Sequence, residues 1–210
     1  MPPRRTRRKP RRRARSTASR VNRLERVCRP ETKYASDESS AFDTIGATQG
    51  TVLKPQQLAQ GFARNKRVGD KVKSRNIRFQ ALLRLEDSAS NPNCAVRILA
   101  VRSKIQDPET GTLDTGDFPN YYSTVDQDKF FVLKDILTSV SALSTDPGVS
   151  VTNGSTIKKI KFNLPTYLRK LQYDGSDEQS PVNNEVVIFM IAENSSAEVA
   201  YNWQHYYLDN

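Results

Sequence analysis

Histidine is almost missing: His205 is the only one in 210 residues. That removes most nucleophile–base pairings, because imidazole is the usual partner that activates a hydroxyl or thiol near neutral pH. His205 also sits in a Trp- and Tyr-rich terminal segment, where a packed or hydrogen-bonded core side chain is expected rather than a catalytic base. Cysteine is scarce too. Cys28 and Cys94 cannot build a disulfide framework, and neither has a second Cys or a His at metal-ligand spacing. Free thiols in a reducing compartment are expected.

A phosphate-cradling loop is lacking as well, since Gly46-Ala47-Thr48-Gln49-Gly50 is not followed by Lys-Ser/Thr and does not open a long helix. No apolar run reaches the ~18 residues of a membrane span, and the N-terminus has no apolar signal-peptide core. Neither membrane insertion nor the usual secretion route is expected. The acids Asp107, Glu109, Asp114 and Asp117, and Asp174, Asp177 and Glu178, read as solvated loop carboxylates; the sharper alternative is a weak cation site or an intersubunit contact. No catalytic residue, metal site or cofactor is expected from this inventory, and the chain does not read as an enzyme.

Positive charge is present and unevenly spread. Residues 1–30 hold thirteen basic side chains (Arg4, Arg5, Arg7, Arg8, Lys9, Arg11, Arg12, Arg13, Arg15, Arg20, Arg23, Arg26 and Arg29) against one acid, Glu25, a local charge of +12. The other 180 residues carry 20 basic and 22 acidic groups, so they are close to neutral. A like-charged run repels itself and has little to bury, so this arm is expected to be disordered until an anion neutralises it. Its bias toward arginine favours bidentate phosphate contacts, and its density predicts sequence-independent nucleic-acid binding by counterion release. The same residues suit a nuclear localisation signal.

The remainder carries strand signals. Residues 31–73 are polar and without a sustained period, and read as a linker and irregular lead-in with a short strand near Thr51–Lys54. Ile77, Phe79, Ala81, Leu83 and Leu85 alternate with polar residues, the period of a half-buried strand. A turn cluster at 88–93 follows, and Ala95–Ser103 reads as the second arm of a hairpin. Lys129–Asp135 is strand-like, and Ile136–Leu143 is ambiguous between helix and strand. Ile157–Leu164 alternates, Tyr167–Tyr173 suggests a further short strand, and Val186–Ala192 reads as a strand buried on both faces. In Val199–Leu208, residues Val199, Tyr201, Trp203, His205 and Tyr207 share a face. Six to eight strands and no convincing long helix indicate an all-β sandwich or barrel occupying 74–210. The loops at 104–127 and 174–184 are candidates for an outer surface or a subunit contact.

A second basic set lies on this body: Arg75, Arg78, Arg84, Arg97, Arg102, Lys158, Lys159, Lys161, Arg169 and Lys170. Arg75, Arg78, Lys158, Lys159 and Lys161 are candidates for an inner surface facing nucleic acid; the plainer reading is a solvated face balanced by nearby acids. For Tyr201, Trp203, Tyr206 and Tyr207, core or subunit packing outweighs base stacking.

Several stretches, in their order along the chain, resemble the capsid proteins of circovirus-like viruses, small circular single-stranded DNA viruses that encode a rolling-circle replication protein. They are the Pro-Arg-Arg-Thr-Arg-Arg-Lys-Pro-Arg-Arg-Arg run at 3–13, Arg67-Val68-Gly69-Asp70-Lys71-Val72 leading into Ile77–Leu85, and Asp128-Lys129-Phe130-Phe131-Val132-Leu133-Lys134-Asp135. Lys161-Phe162-Asn163-Leu164 with Tyr173-Asp174-Gly175, and the terminal Tyr206-Tyr207-Leu208-Asp209, complete the set. The resemblance implies a single eight-stranded jelly roll, a sixty-subunit T=1 homo-oligomeric shell and an inward basic arm packaging circular single-stranded DNA. It also implies entry into the host nucleus through import receptors, and a cell-surface attachment factor that the sequence does not identify. Sixty arms at +12 would bring about 720 positive charges inside, enough for a comparable number of phosphates. A satellite-type single-stranded RNA virus coat protein would share arm and sandwich, and a cellular nucleic-acid-binding protein with a basic tail would share the charge pattern.

Overall fold

In a computed structural model the described residues are 32–47, 50–86, 89, 91–104, 120–142, 155–174 and 180–209. The thirteen basic residues of the arm, Cys28, most of the 104–127 loop and the middle of the 174–184 loop lie outside them.

The described residues form two antiparallel sheets packed as a β-sandwich. The strands are β1 (Thr32–Glu38), β2 (Asp43–Thr44), β3 (Thr51–Leu53), β4 (Lys71–Leu85), β5 (Asn93–Ser103), β6 (Phe130–Ser141), β7 (Lys158–Gln172), β8 (Val186–Ala192) and β9 (Ala197–Asp209). One sheet has the order β1-β9-β4-β7, with β2 also paired to β9; the other has the order β3-β8-β5-β6. Among the described residues no helix is long and apolar enough to cross a membrane.

Alternation decides which side chains meet. The inward series of β4, Ile77, Phe79, Ala81, Leu83 and Leu85, is buried, and so are Ile160, Phe162 and Leu164 of β7 and Val199, Trp203 and Tyr207 of β9. Phe79 and Phe162 are register partners with ring centroids 4.9 Å apart. The facing sheet contributes Cys94, Val96, Ile98 and Ala100 from β5 and Val186, Ile188, Met190 and Ala192 from β8. Burying a Leu-, Ile- or Phe-sized side chain is worth about 1.5–3 kcal/mol, so this interior dominates the fold's stability. All seven residues of β8 are buried, because its other face carries a second cluster of Leu99, Val101, Phe130, Val187 and Phe189, with Val52 and Val125 packed on it. Arg97 reaches across that outer side to Asp135, at 2.9 and 2.7 Å, and to the carbonyls of Tyr121 and Ser123.

Four sequence expectations change. The segment expected as linker and lead-in contributes β1 and β2 in addition to β3, the short strand expected near Thr51–Lys54. β1 went unread because it has one buried residue, Ala35, and no apolar period; its place at a sheet edge comes from seven register pairs with β9. β4 and β5 are not a hairpin: β4 pairs with β7 and β9, whereas β5 pairs with β6 and β8. The turn cluster between them carries the chain from one sheet to the other, which alternation alone does not reveal. The ambiguous span after Asp135 is strand, ending β6 at Ser141. Finally, 157–164 and 167–173 belong to one long edge strand, β7, which tolerates Pro165 and the positive φ of Tyr167 (52°).

The pairing is nested: β1 with β9, β3 with β8, β4 with β7 and β5 with β6. The registers therefore collect the strand ends in two groups. At one end Leu85 meets Ala197 and Asn93 meets Ser141. At the other end Lys71 meets Gln172 and Arg102 meets Val186, beside the described segments 54–70, 120–129 and 180–185.

Candidate nucleic-acid interface

Outward residues of the β1-β9-β4-β7 sheet alternate with the core series and form a polar face. Register places Arg78 beside Asn163 and Gln204, and Gln80 beside Lys161 and Asn202. These six side chains line a shallow depression. Lys159, opposite Leu82, extends the basic row along β7. Of the five candidate inner-surface cations, the structure thus brings Arg78, Lys159 and Lys161 onto one face. Arg75 is exposed at the irregularity between Ser74 and Asn76, with no register partner, and Lys158 falls in register with the inward Leu83 at the strand's start.

Local charge compensation is selective. Arg84 is taken up by Glu198 at 2.7 Å, and Glu38 accepts from Asn202 Nδ2 at 3.1 Å. Among the described residues no ion pair joins Arg78, Lys159 or Lys161 to a carboxylate. Aromatic rings interleave with the cations. The Arg64 guanidinium lies 5.3 Å from the Tyr34 ring centroid, Tyr34 and Tyr206 are 6.3 Å apart, and the Arg78 guanidinium lies 4.9 Å from Tyr206. Arg78 Nη1 also donates to the Tyr206 hydroxyl at 3.3 Å. Uncompensated cations with amides and accessible rings form a surface on which a nucleic-acid strand can lay phosphates and bases. Arg64 and Tyr34 fall in the aperiodic stretch of the sequence, where the only signal is a single tyrosine within the polar strand β1.

The other basic residues of the body have different surroundings. Arg97 is bound to Asp135 on the opposite sheet, Arg169 and Lys170 are exposed at the end of β7, and Arg102 turns inward between the sheets.

His205 belongs to a closed polar network. Its Nε2 is 2.8 Å from Ser74 Oγ, which also bonds Thr166 Oγ1 at 2.9 Å and accepts from Gln56 Nε2 at 3.1 Å. His205 and Ser74 are both fully buried, so this Ser–His contact is closed to a substrate. Burial holds the imidazole neutral and lowers its pKa to about 3. The unfolded chain takes up this proton below about pH 6.5, so between pH 6.5 and 3 it holds more protons than the fold and stability is lost as pH falls. The slope is at most about 1.4 kcal/mol per pH unit. Glu185 works the other way, because burial raises its carboxyl pKa while Lys54 partly offsets the rise. Denaturant unfolding of wild type and His205→Gln at pH 4.5–6.5 cancels Glu185 and leaves the histidine: the variant is expected to lose about one proton's worth of slope. Parallel curves would refute the buried neutral imidazole.

No protein-family model matches the chain, and no curated protein matches it either.

Proposed function

We propose that this chain is the coat protein of a small single-stranded DNA virus, in which the sandwich is a jelly roll that assembles into a closed T=1 shell and residues 1–29 neutralise the packaged strand. The observation that carries the reading is the partition of charge: +12 within thirty residues, directly ahead of a nearly neutral all-β body. Nested pairing across two four-strand orders supports the jelly roll, since wrapping one long hairpin into two sheets yields that sequence of neighbours. The two-residue β2 is then an addition to an eight-strand plan.

Self-assembly needs adhesive surface outside the core. Phe62, Tyr122, Leu137 and Ile157 are 64–95% exposed, more large apolar surface than solubility alone favours and suited to repeated subunit contacts. Segment 54–70 and the described parts of the two long loops, 120–127 and 180–184, lie at one end, which favours a common outer or intersubunit role for those loops. The depression between Arg78 and Lys161 suits an inner face that receives the strand after the arm has gathered it. Nuclear import would use the same arginines before assembly, giving virion and host nucleus as the two locations.

Negative-stain imaging of the expressed chain, followed by nuclease digestion of the extracted contents, tests this. Closed particles of uniform diameter enclosing DNase-sensitive single strands are expected. RNA in such particles would move the assignment to a satellite-type RNA virus coat protein. A chain that stays monomeric at every ionic strength with polynucleotide present would overturn the coat reading and leave a cellular nucleic-acid-binding protein.

A further inference from the structure

The inward series of β5 runs Cys94, Val96, Ile98, Ala100, and its next member is an arginine, Arg102. Its register neighbours are Val186 on β8 and Phe131 on β6. The guanidinium stands 4.3 Å from the Phe131 ring centroid, and Lys104 Nζ reaches the same ring at 4.3 Å. From the opposite sheet Thr166, Tyr167 and Arg169 close a pocket of about 250 Å³. Among the described residues its walls hold two arginines and no carboxylate. Partial burial and the neighbouring Arg169 both push the Arg102 pKa down, as expected where two cations converge. Tyr167 at the rim is 80% exposed and held at φ 52°, a conformation that costs a non-glycine residue about 1 kcal/mol or more.

An arginine at a core-facing position, with no ion pair among the described residues, disfavours the empty fold, and an anion would reverse that penalty. Arg102 and Arg169 supply guanidinium forks for a phosphate, while Phe131 and Tyr167 supply ring faces. The volume lies just under the ~300 Å³ at which small-molecule sites begin, so it takes one base and its phosphate rather than an extended ligand. We infer that the pocket between β6 and β7 binds a nucleoside monophosphate unit, its phosphate on Arg102 and Arg169 and its base against Phe131 and Tyr167. This site is separate from the arm and does not depend on the coat assignment.

Calorimetric titration of the full chain with deoxyadenosine monophosphate, deoxyadenosine and inorganic phosphate tests it, with Arg102→Met and Arg169→Gln as variants. The monophosphate should bind tighter than either fragment and about tenfold more weakly to each variant. Arg102→Met, which places an apolar chain at an apolar position, should melt at the same temperature as wild type or higher; the exposed Arg169→Gln keeps the test valid if it does not. Competition by a short oligonucleotide assigns the site to a strand, and its absence assigns it to the free nucleotide; both support the site. Equal affinity of wild type and both variants, or phosphate binding as tightly as the mononucleotide, overturns the proposal.

Discussion

Deleting residues 1–29 is expected to abolish retention of single-stranded nucleic acid at 200 mM salt while leaving the β-sandwich folded. The deletion removes thirteen cations and one anion. Each phosphate neutralised on a single strand contributes a slope of about −0.7 to log K against log salt. If only about half of the thirteen cations engage, affinity falls several hundredfold between 50 and 200 mM salt, and full engagement makes the fall steeper. The truncated chain should show a slope of about −2 or shallower, the share left to the sheet face bearing Arg78, Lys159 and Lys161. Folding survives because the cut precedes β1, whose seven register pairs with β9 begin at Thr32. Filter binding across a salt series, with circular dichroism to verify the sandwich, reads both quantities. Replacing the arm's arginines by lysine should keep the slope and cost only the bidentate part of the affinity, about tenfold or less. A truncated chain with undiminished affinity and slope would transfer the binding site to the sandwich face.

The sandwich was legible where side-chain period reports burial directly. β4 alternates cleanly, β8 is apolar throughout, and His205 sits among the buried residues of β9 as its aromatic neighbours suggested. Sheet membership was not legible, since β4 and β5 find their partners more than 35 residues away for the most part, through contacts no local pattern encodes. β1 hides for a related reason: an edge strand needs only one buried contact, and hydrogen bonds to β9 supply the rest. The basic face was half legible. Alternation put Arg78 and Lys161 on polar faces of their own strands, but only register shows that these are one face, and nothing local brings Tyr34 to Tyr206. Arg102 is the most telling miss. In an apolar strand its charge reads as an outward residue, yet parity counted from Cys94 turns it inward.

Arg67→Ala should be the most damaging single substitution among these residues, costing about 3–5 kcal/mol. Arg67 is fully buried, with its guanidinium among polar partners. Nε donates to the Leu58 carbonyl at 3.2 Å, and Nη1 donates to the Gly69 carbonyl at 2.8 Å and to Asp70 Oδ1 at 3.0 Å. The plane also lies 4.5 Å from the ring centroid of Tyr173, whose hydroxyl donates to the Gln56 carbonyl at 2.9 Å. One side chain therefore ties segment 54–70 to the end of β7, and it joins two stretches, Arg67–Val72 and Tyr173–Asp174, that are far apart in sequence. Truncation leaves two carbonyls without a donor and a void against Tyr173, so desolvation and cavity costs add. Asp70→Asn should cost less than about 1 kcal/mol, because the Asp70 side chain is 54% exposed and the carbonyl bonds remain. Arg67→Lys should fall between them, keeping the charge but losing the fork and the flat contact with the ring. Equilibrium unfolding of the three variants ranks the contributions. If Asp70→Asn were as costly as Arg67→Ala, the ion pair rather than carbonyl capping would hold the segment; if Arg67→Ala cost under about 1 kcal/mol, the segment would be held by its own backbone.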